Sequence, residues 1–151
     1  MTLTHDATAL TGPGSGARID SPRADSAGSD LETHLHTLRR RVPHLIGSAV
    51  ASSDGLLLAD DLPDAIEATG IAALTAALLS VSLTFAAATH GADLHEVVLD
   101  SGVGHVVVYR AGPIACLALL TGPDATLARV HLEARPVVRA IAATLAPAPH
   151  D

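Results

Sequence analysis

The side chains that could do chemistry in this sequence are few and scattered. Cys116 is the single cysteine. It lies inside an apolar run, where a thiol is packing material and not a nucleophile. His34 and His36 stand two apart on a helical stretch, so they point to different sides. His90, His95 and His105 fall at a helix end and on two strands, without the spacing of a metal site. All nine basic residues are arginine, and there is no lysine. A P-loop needs a lysine to reach the phosphates, and Schiff-base and kinase chemistry need one too, so these classes are excluded. Gly12 to Gly16 is glycine-rich but follows no strand. Ser101 to Gly104 could cradle an anion, although a hairpin turn is the plainer account. No catalytic residue, cofactor or metal is expected, and the chain reads as a non-enzyme.

Composition narrows the partners. The chain has 151 residues, 48% of them hydrophobic and 17% charged, which supports a real core. Aromatics amount to 1%, namely Phe85 and Tyr109, so Leu, Val, Ile and Ala must build that core. The net charge is -7. An acidic chain without an aromatic stacking platform is a poor nucleic-acid binder, and no polybasic patch suits an anionic membrane. Met1 to Leu10 lacks the pattern of a signal peptide. With one cysteine and no disulfide, the expected location is the cytoplasm, with membrane association only through partners.

The elements that must position these residues follow from periodicity. Residues 1–28 are rich in Thr, Ser, Gly, Pro and Asp, and read as a disordered tail. Ser29 and Glu32 match a capping box opening a helix with Leu31, Leu35, Leu38 and Val42 on one side. Arg39, Arg40 and Arg41 suit its last turn, and Pro43 stops it. Gly47 to Ser53 and Leu56 to Ala59 form a hairpin around Asp54-Gly55. After a second, longer helix come three strands: Leu94 to Asp100, His105 to Arg110, and Ile114 to Thr121. The last of these is a continuous apolar run, which marks a central strand covered on both faces. A final helix turns Leu127, Val130, Ala134, Val137, Val138, Ile141 and Leu145 inward. Pro136 inside it predicts a kink near Leu132. The expected fold is α-β-β-α-β-β-β-α, an α+β sandwich with a five-stranded antiparallel sheet and helices on both faces. The ordered domain is expected over residues 29–146, followed by a loose end at 147–151.

The second helix, expected from Asp64 to Thr89, carries the strongest signal. Ala68 to Thr89 has no charge and is long enough to span a membrane. Its internal hydroxyls and missing basic flanks argue against insertion. Ile66, Ala73, Leu74, Ala77, Leu78, Val81 and Phe85 form one stripe, while Ile71, Leu79 and Leu83 lie outside it. A helix apolar on more than one side needs cover from its own sheet and from something else. A second chain is the simplest supplier.

The segment Ser52-Ser53-Asp54-Gly55-Leu56-Leu57-Leu58-Ala59 resembles the hairpin of roadblock/LC7 domains. The uncharged Ala/Leu helix, the strand Gly112 to Leu120 and the Ala134-Arg135 dipeptide agree with that family, over residues 31–146. The resemblance is closest to its bacterial branch, the MglB-like and actinobacterial conservon proteins, and the lysine-free composition is compatible with an actinobacterial source. Pro136 and the long N-terminal segment depart from the pattern. The resemblance implies a homodimer in which third strands pair across a twofold axis and the long helices lie side by side. It also implies a small Ras-like GTPase as partner, with signalling through a sensor-kinase complex as a further expectation. Arg110 is then the one arginine placed to act as a finger toward such a partner. The expected dimer and partner interface comprises Glu67, Ile71, Leu74, Thr75, Leu78, Ser82, Phe85, Leu94, Glu96 and Val98. The alternatives are a small-molecule sensor or a purely structural dimerisation module.

Overall fold

The computed structural model describes residues 22–149. The chain order is α1 (Pro22–Arg41), β1 (Leu45–Ser52), β2 (Leu57–Asp61), α2 (Ala68–His90), β3 (Glu96–Asp100), β4 (His105–Ala111), β5 (Ala115–Thr121) and α3 (Leu127–Leu145). This is the α-β-β-α-β-β-β-α succession expected. The strands form one antiparallel sheet in the order β2-β1-β5-β4-β3. The continuous apolar run β5 is therefore the middle strand, flanked by β1 and β4, as its lack of alternation requires.

Two helices cover one face of the sheet. Leu31, Leu35 and Leu38 of α1, Val42 just beyond its end, and Val130, Ala134, Val137 and Ile141 of α3 close over Val50, Val107, Tyr109, Leu117 and Leu119. Among the described residues only α2 covers the other face, where Ala72 and Leu79 meet Ala51, Val108, Cys116 and Ala118. Both cores are aliphatic, with Tyr109 as the one large aromatic inside.

Two local expectations need correction. The first helix begins at Pro22, not at Ser29, so the apparent capping box lies within the helix, where the Ser29 carbonyl accepts from Thr33 Oγ1 at 3.0 Å. Proline fits a first turn because it has no N–H to leave unsatisfied, and the helix runs past its apolar stripe as an exposed extension. The expected disorder at residues 1–21 lies outside the described residues. The second helix begins at Ala68 rather than Asp64. Ile66 N donates to the Pro63 carbonyl in a turn, and Glu67 then caps the helix by accepting from Thr69 N and Gly70 N. The third helix, α3, continues through Pro136. That proline is exposed, on the solvent side of the helix.

The Ser101–Gly104 segment is a hairpin turn, and three of its donors are already engaged. Ser101 N and Oγ both donate to the Gly104 carbonyl, at 3.0 and 2.9 Å, and Gly102 N donates to Asp100 Oδ1 at 2.9 Å. Gly104 is forced by close approach: a Cβ there would lie 2.1 Å from the Thr121 carbonyl oxygen.

Candidate interaction face

Helix α2 is built with its small residues inward. The buried positions are Ala72, Thr75, Ala76 and Leu79, so the helix axis comes close to the sheet. Its larger side chains point away: Leu74 is 68% exposed, Val81 69% and Phe85 69%. These three recur at seven and four residues, and Leu78 falls between them, so they make one outward stripe. The helix is long and apolar enough, by length and composition alone, to cross a membrane. In this fold it lies on the sheet.

The helix does not roof the whole face. Beside it, Leu99, Val106 and Leu120 remain as an apolar floor, and with Ile71, Leu74 and Leu78 they enclose a groove of about 320 Å³. A second hollow of about 380 Å³ follows the other half of the helix, past Val81, Phe85, Leu94 and Val97. The apolar stripe thus continues across the sheet surface toward β3.

The two free sheet edges differ. The edge strand β2 is irregular, with a register shift opposite Val50 and Ala51. Its end is held by α1, where the Arg39 guanidinium donates to the carboxylate and carbonyl of Asp61. Bulges and charged side chains blunt an edge against further pairing. Strand β3 has no bulge: its five residues pair in unbroken register with β4, its charged residues Glu96 and Asp100 stand only at its two ends, and among the described residues no strand pairs with its outer side.

The expected interface residues divide accordingly. Ile71, Leu74, Leu78, Phe85 and Leu94 come together on the α2 face, with Ser82 half-buried beside them. Thr75 is turned to the sheet, 5% exposed, with Oγ1 donating to the Ile71 carbonyl at 2.7 Å. The Glu67 carboxylate is engaged as the helix cap. Glu96 and Val98 point to the opposite face of the sheet, because Glu96 lies opposite Tyr109 and Val98 opposite Val107. There Arg135 Nη2 donates to Glu96 at 3.3 Å, and His131 Nδ1 lies 3.6 Å from it. Tyr109 and His131 share a hydrogen bond of 2.6 Å. Burial, and then the Glu96 charge, raise the Tyr109 hydroxyl above its ordinary pKa. The residues of β3 that share the α2 face are Val97 and Leu99. Counting alternation from Leu94 misses them, because the strand begins only at Glu96.

The family model of the Roadblock/LC7 domain matches residues 32–121. The chain belongs to the Roadblock/LC7 family. Among solved structures, a Roadblock/LC7 domain from Streptomyces avermitilis is 29% identical and superposes with a TM-score of 0.71 over 76% of this chain and 96% of that one. The gliding protein MglB from Thermus thermophilus is 20% identical, with a TM-score of 0.69 over 80% and 90% of the two chains. An MglB in a tetrameric arrangement is also 20% identical, with a TM-score of 0.71 over 79% and 90%. The MglB likenesses bear on the fold alone. No curated protein matches the sequence. The bacterial Roadblock/LC7 resemblance read from the Asp54-Gly55 hairpin and the uncharged helix therefore holds, with the family model over residues 32–121 and the structural likeness to the Streptomyces domain over 76% of the chain.

Proposed function

We propose that this Roadblock/LC7 protein is a homodimeric, non-catalytic regulator or scaffold of a small Ras-like GTPase, acting in the cytoplasm. The observation that carries the dimer is the outward stripe Leu74, Leu78, Val81 and Phe85 lying beside the bare edge of β3. An apolar stripe continuous with an unpaired strand needs cover and offers a register for it. Two copies related by a twofold axis satisfy both at once: the strands extend one sheet, and the helices cover each other. The tetrameric arrangement of a similar MglB supports self-association of this fold. The GTPase partner rests on the family resemblance. In that reading the dimer acts by positioning the partner's own catalytic groups. Arg110 stands half-buried at the end of β4 and is the residue to test as a finger.

A small-molecule sensor is the competing reading, since the groove of about 320 Å³ reaches the lower end of ligand-pocket sizes. Its one hydroxyl, Thr75, is already bonded within the helix. Nothing polar is left there to orient a small ligand, so the protein reading leads. Light scattering of the purified chain, with and without the GTPase encoded beside its gene, tests the proposal. Expected are a dimer mass, a complex and altered nucleotide hydrolysis. A monomer with no complex removes the proposal.

A further inference from the structure

The two flanks of α2 differ in kind. One carries the large outward stripe of Leu74, Leu78, Val81 and Phe85. The other is small and hydroxylic, with Ala73, Ala76, Ser80 and Thr84 recurring along it at helical spacing. Small side chains leave room between a helix and its neighbours. Here the room is a hollow of about 300 Å³ between the second half of α2, Ser53 at the end of β1, and Gly112 and Pro113 in the connection from β4 to β5.

Strand alternation places Arg110 on this hollow. Tyr109 before it turns to the core under α1 and α3, whereas its cross-strand partner Cys116 packs beneath α2. The Arg110 side chain therefore leaves the sheet on the α2 side, where it lines the hollow with Cys116, Leu79 and Leu83. Its charge is unanswered there. Among the described residues, its guanidinium makes no hydrogen bond or ion pair. Helix α2 carries no acidic residue, and no residue lining the hollow has a carboxylate. The acids at the entry to β3, Asp93 and Glu96, make no ion pair with it; Glu96 is engaged by Arg135. Arg110 is half-buried, and a guanidinium withdrawn from water without an anion is unfavourable. The Ser80 hydroxyl stands on the wall of the same hollow.

We propose that this hollow binds a small aliphatic carboxylate. The carboxylate accepts the two parallel N–H bonds of the Arg110 fork, and Ser80 Oγ donates a third. The alkyl chain lies on Ala76, Leu79 and Leu83. One guanidinium matches one carboxylate in charge. A phosphate group fits less well, because the hollow has no second cation and no glycine-rich phosphate loop. The volume stands at the lower end of ligand-site sizes, which selects a short chain. This inference goes beyond the dimer and GTPase readings, since the site lies on the flank of α2 away from the outward stripe.

The test is an NMR titration of the isotope-labelled full chain with hexanoate. Expected is signal movement concentrated at Ser80, Leu83, Thr84 and Arg110, with little from hexanol or inorganic phosphate at equal concentration. Arg110→Gln should weaken binding about tenfold or more. The Arg110 side chain makes no polar contact on which the fold depends, so the variant is expected to keep the wild-type spectrum elsewhere. Arg139→Gln removes an exposed charge from α3, on the opposite side of the sheet, and should leave affinity unchanged. The proposal is overturned if no signal moves, if hexanol binds equally, or if Arg110→Gln binds as the wild type does. Movement confined to the groove of Ile71, Leu74 and Leu99 overturns it too. So does phosphate moving the same signals more strongly, which makes the hollow a small-anion site. The hexanol and phosphate arms use the wild-type chain, so they decide the matter whatever the stability of the variant. The titration contains no GTPase, and light scattering on the same samples reports the dimer separately.

Discussion

Replacing Leu74 by aspartate separates folding from assembly. Leu74 retains 68% of its surface in the single chain. Fully burying a leucine is worth about 1.5–3 kcal/mol, so about 1–2 kcal/mol is still to be gained there on contact with another protein. Twofold symmetry uses the position twice, giving about 2–4 kcal/mol for the dimer. The dimer Kd of Leu74→Asp should rise by about 30- to 700-fold on that term alone. Desolvating the new carboxylate acts in the same direction. The single chain should barely notice, with a stability change within about 1 kcal/mol, because the site is exposed and aspartate is only a modestly poorer helix former. Sedimentation velocity across a concentration series gives the Kd, and urea denaturation at low concentration gives the fold's own stability. A Leu74→Asp protein that keeps the wild-type Kd refutes the assignment of this stripe to the interface. So does one that loses its fold and its dimer together, because the leucine would then belong to the core.

Other perturbations test the fold directly. Gly104→Ala should destabilise the protein by about 3 kcal/mol, read by urea denaturation, because its Cβ would lie 2.1 Å from a backbone oxygen that cannot rotate away. Ser48→Ala should stabilise it by about 1 kcal/mol in the same assay, since the Ser48 hydroxyl is fully buried with no hydrogen-bond partner among the described residues. Burial pushes the Cys116 thiol up from about 9 to about 11. The folded state therefore keeps a proton that the unfolded chain releases, so stability is complete below pH 9 and falls as pH rises toward 11. Thermal melts across that range should show the loss, Cys116→Ala should reduce it, and a thiol reagent at pH 8 should react only as the protein unfolds.

Much of this architecture could be read because single residues carried unambiguous signals. The unalternating run that ends at Thr121 could only be a central strand, and Leu31, Leu35, Leu38 and Val42 could only be one helix face. The start of α1 was hidden because residues 24–26 are exposed and carry no apolar stripe. The true cap of α2 was hidden for a different reason. Glu67 is not among the usual capping residues, whereas Pro63 and Asp64 offered a more familiar start that the chain uses as a turn. At the interaction face, the apolar excess of α2 was legible but the direction of β3 was not. The irregular backbone at His95 breaks the alternation that Leu94 would set, so Glu96 and Val98 turn to α3 and Val97 and Leu99 turn to α2.

The inversion of α2, small residues inward and large ones outward, also decides what a laboratory screen can detect. A selection that rewards only soluble, folded protein monitors Ala72, Ala76 and Leu79, because those are buried against the sheet. It is nearly blind to Leu74, Val81 and Phe85, whose removal takes little from the chain's own core and can even improve solubility. Variants chosen for yield will tend to drift toward polar residues at those three positions. They would pass every folding criterion while losing the surface proposed for the dimer, so engineering of this domain needs an association readout from the outset.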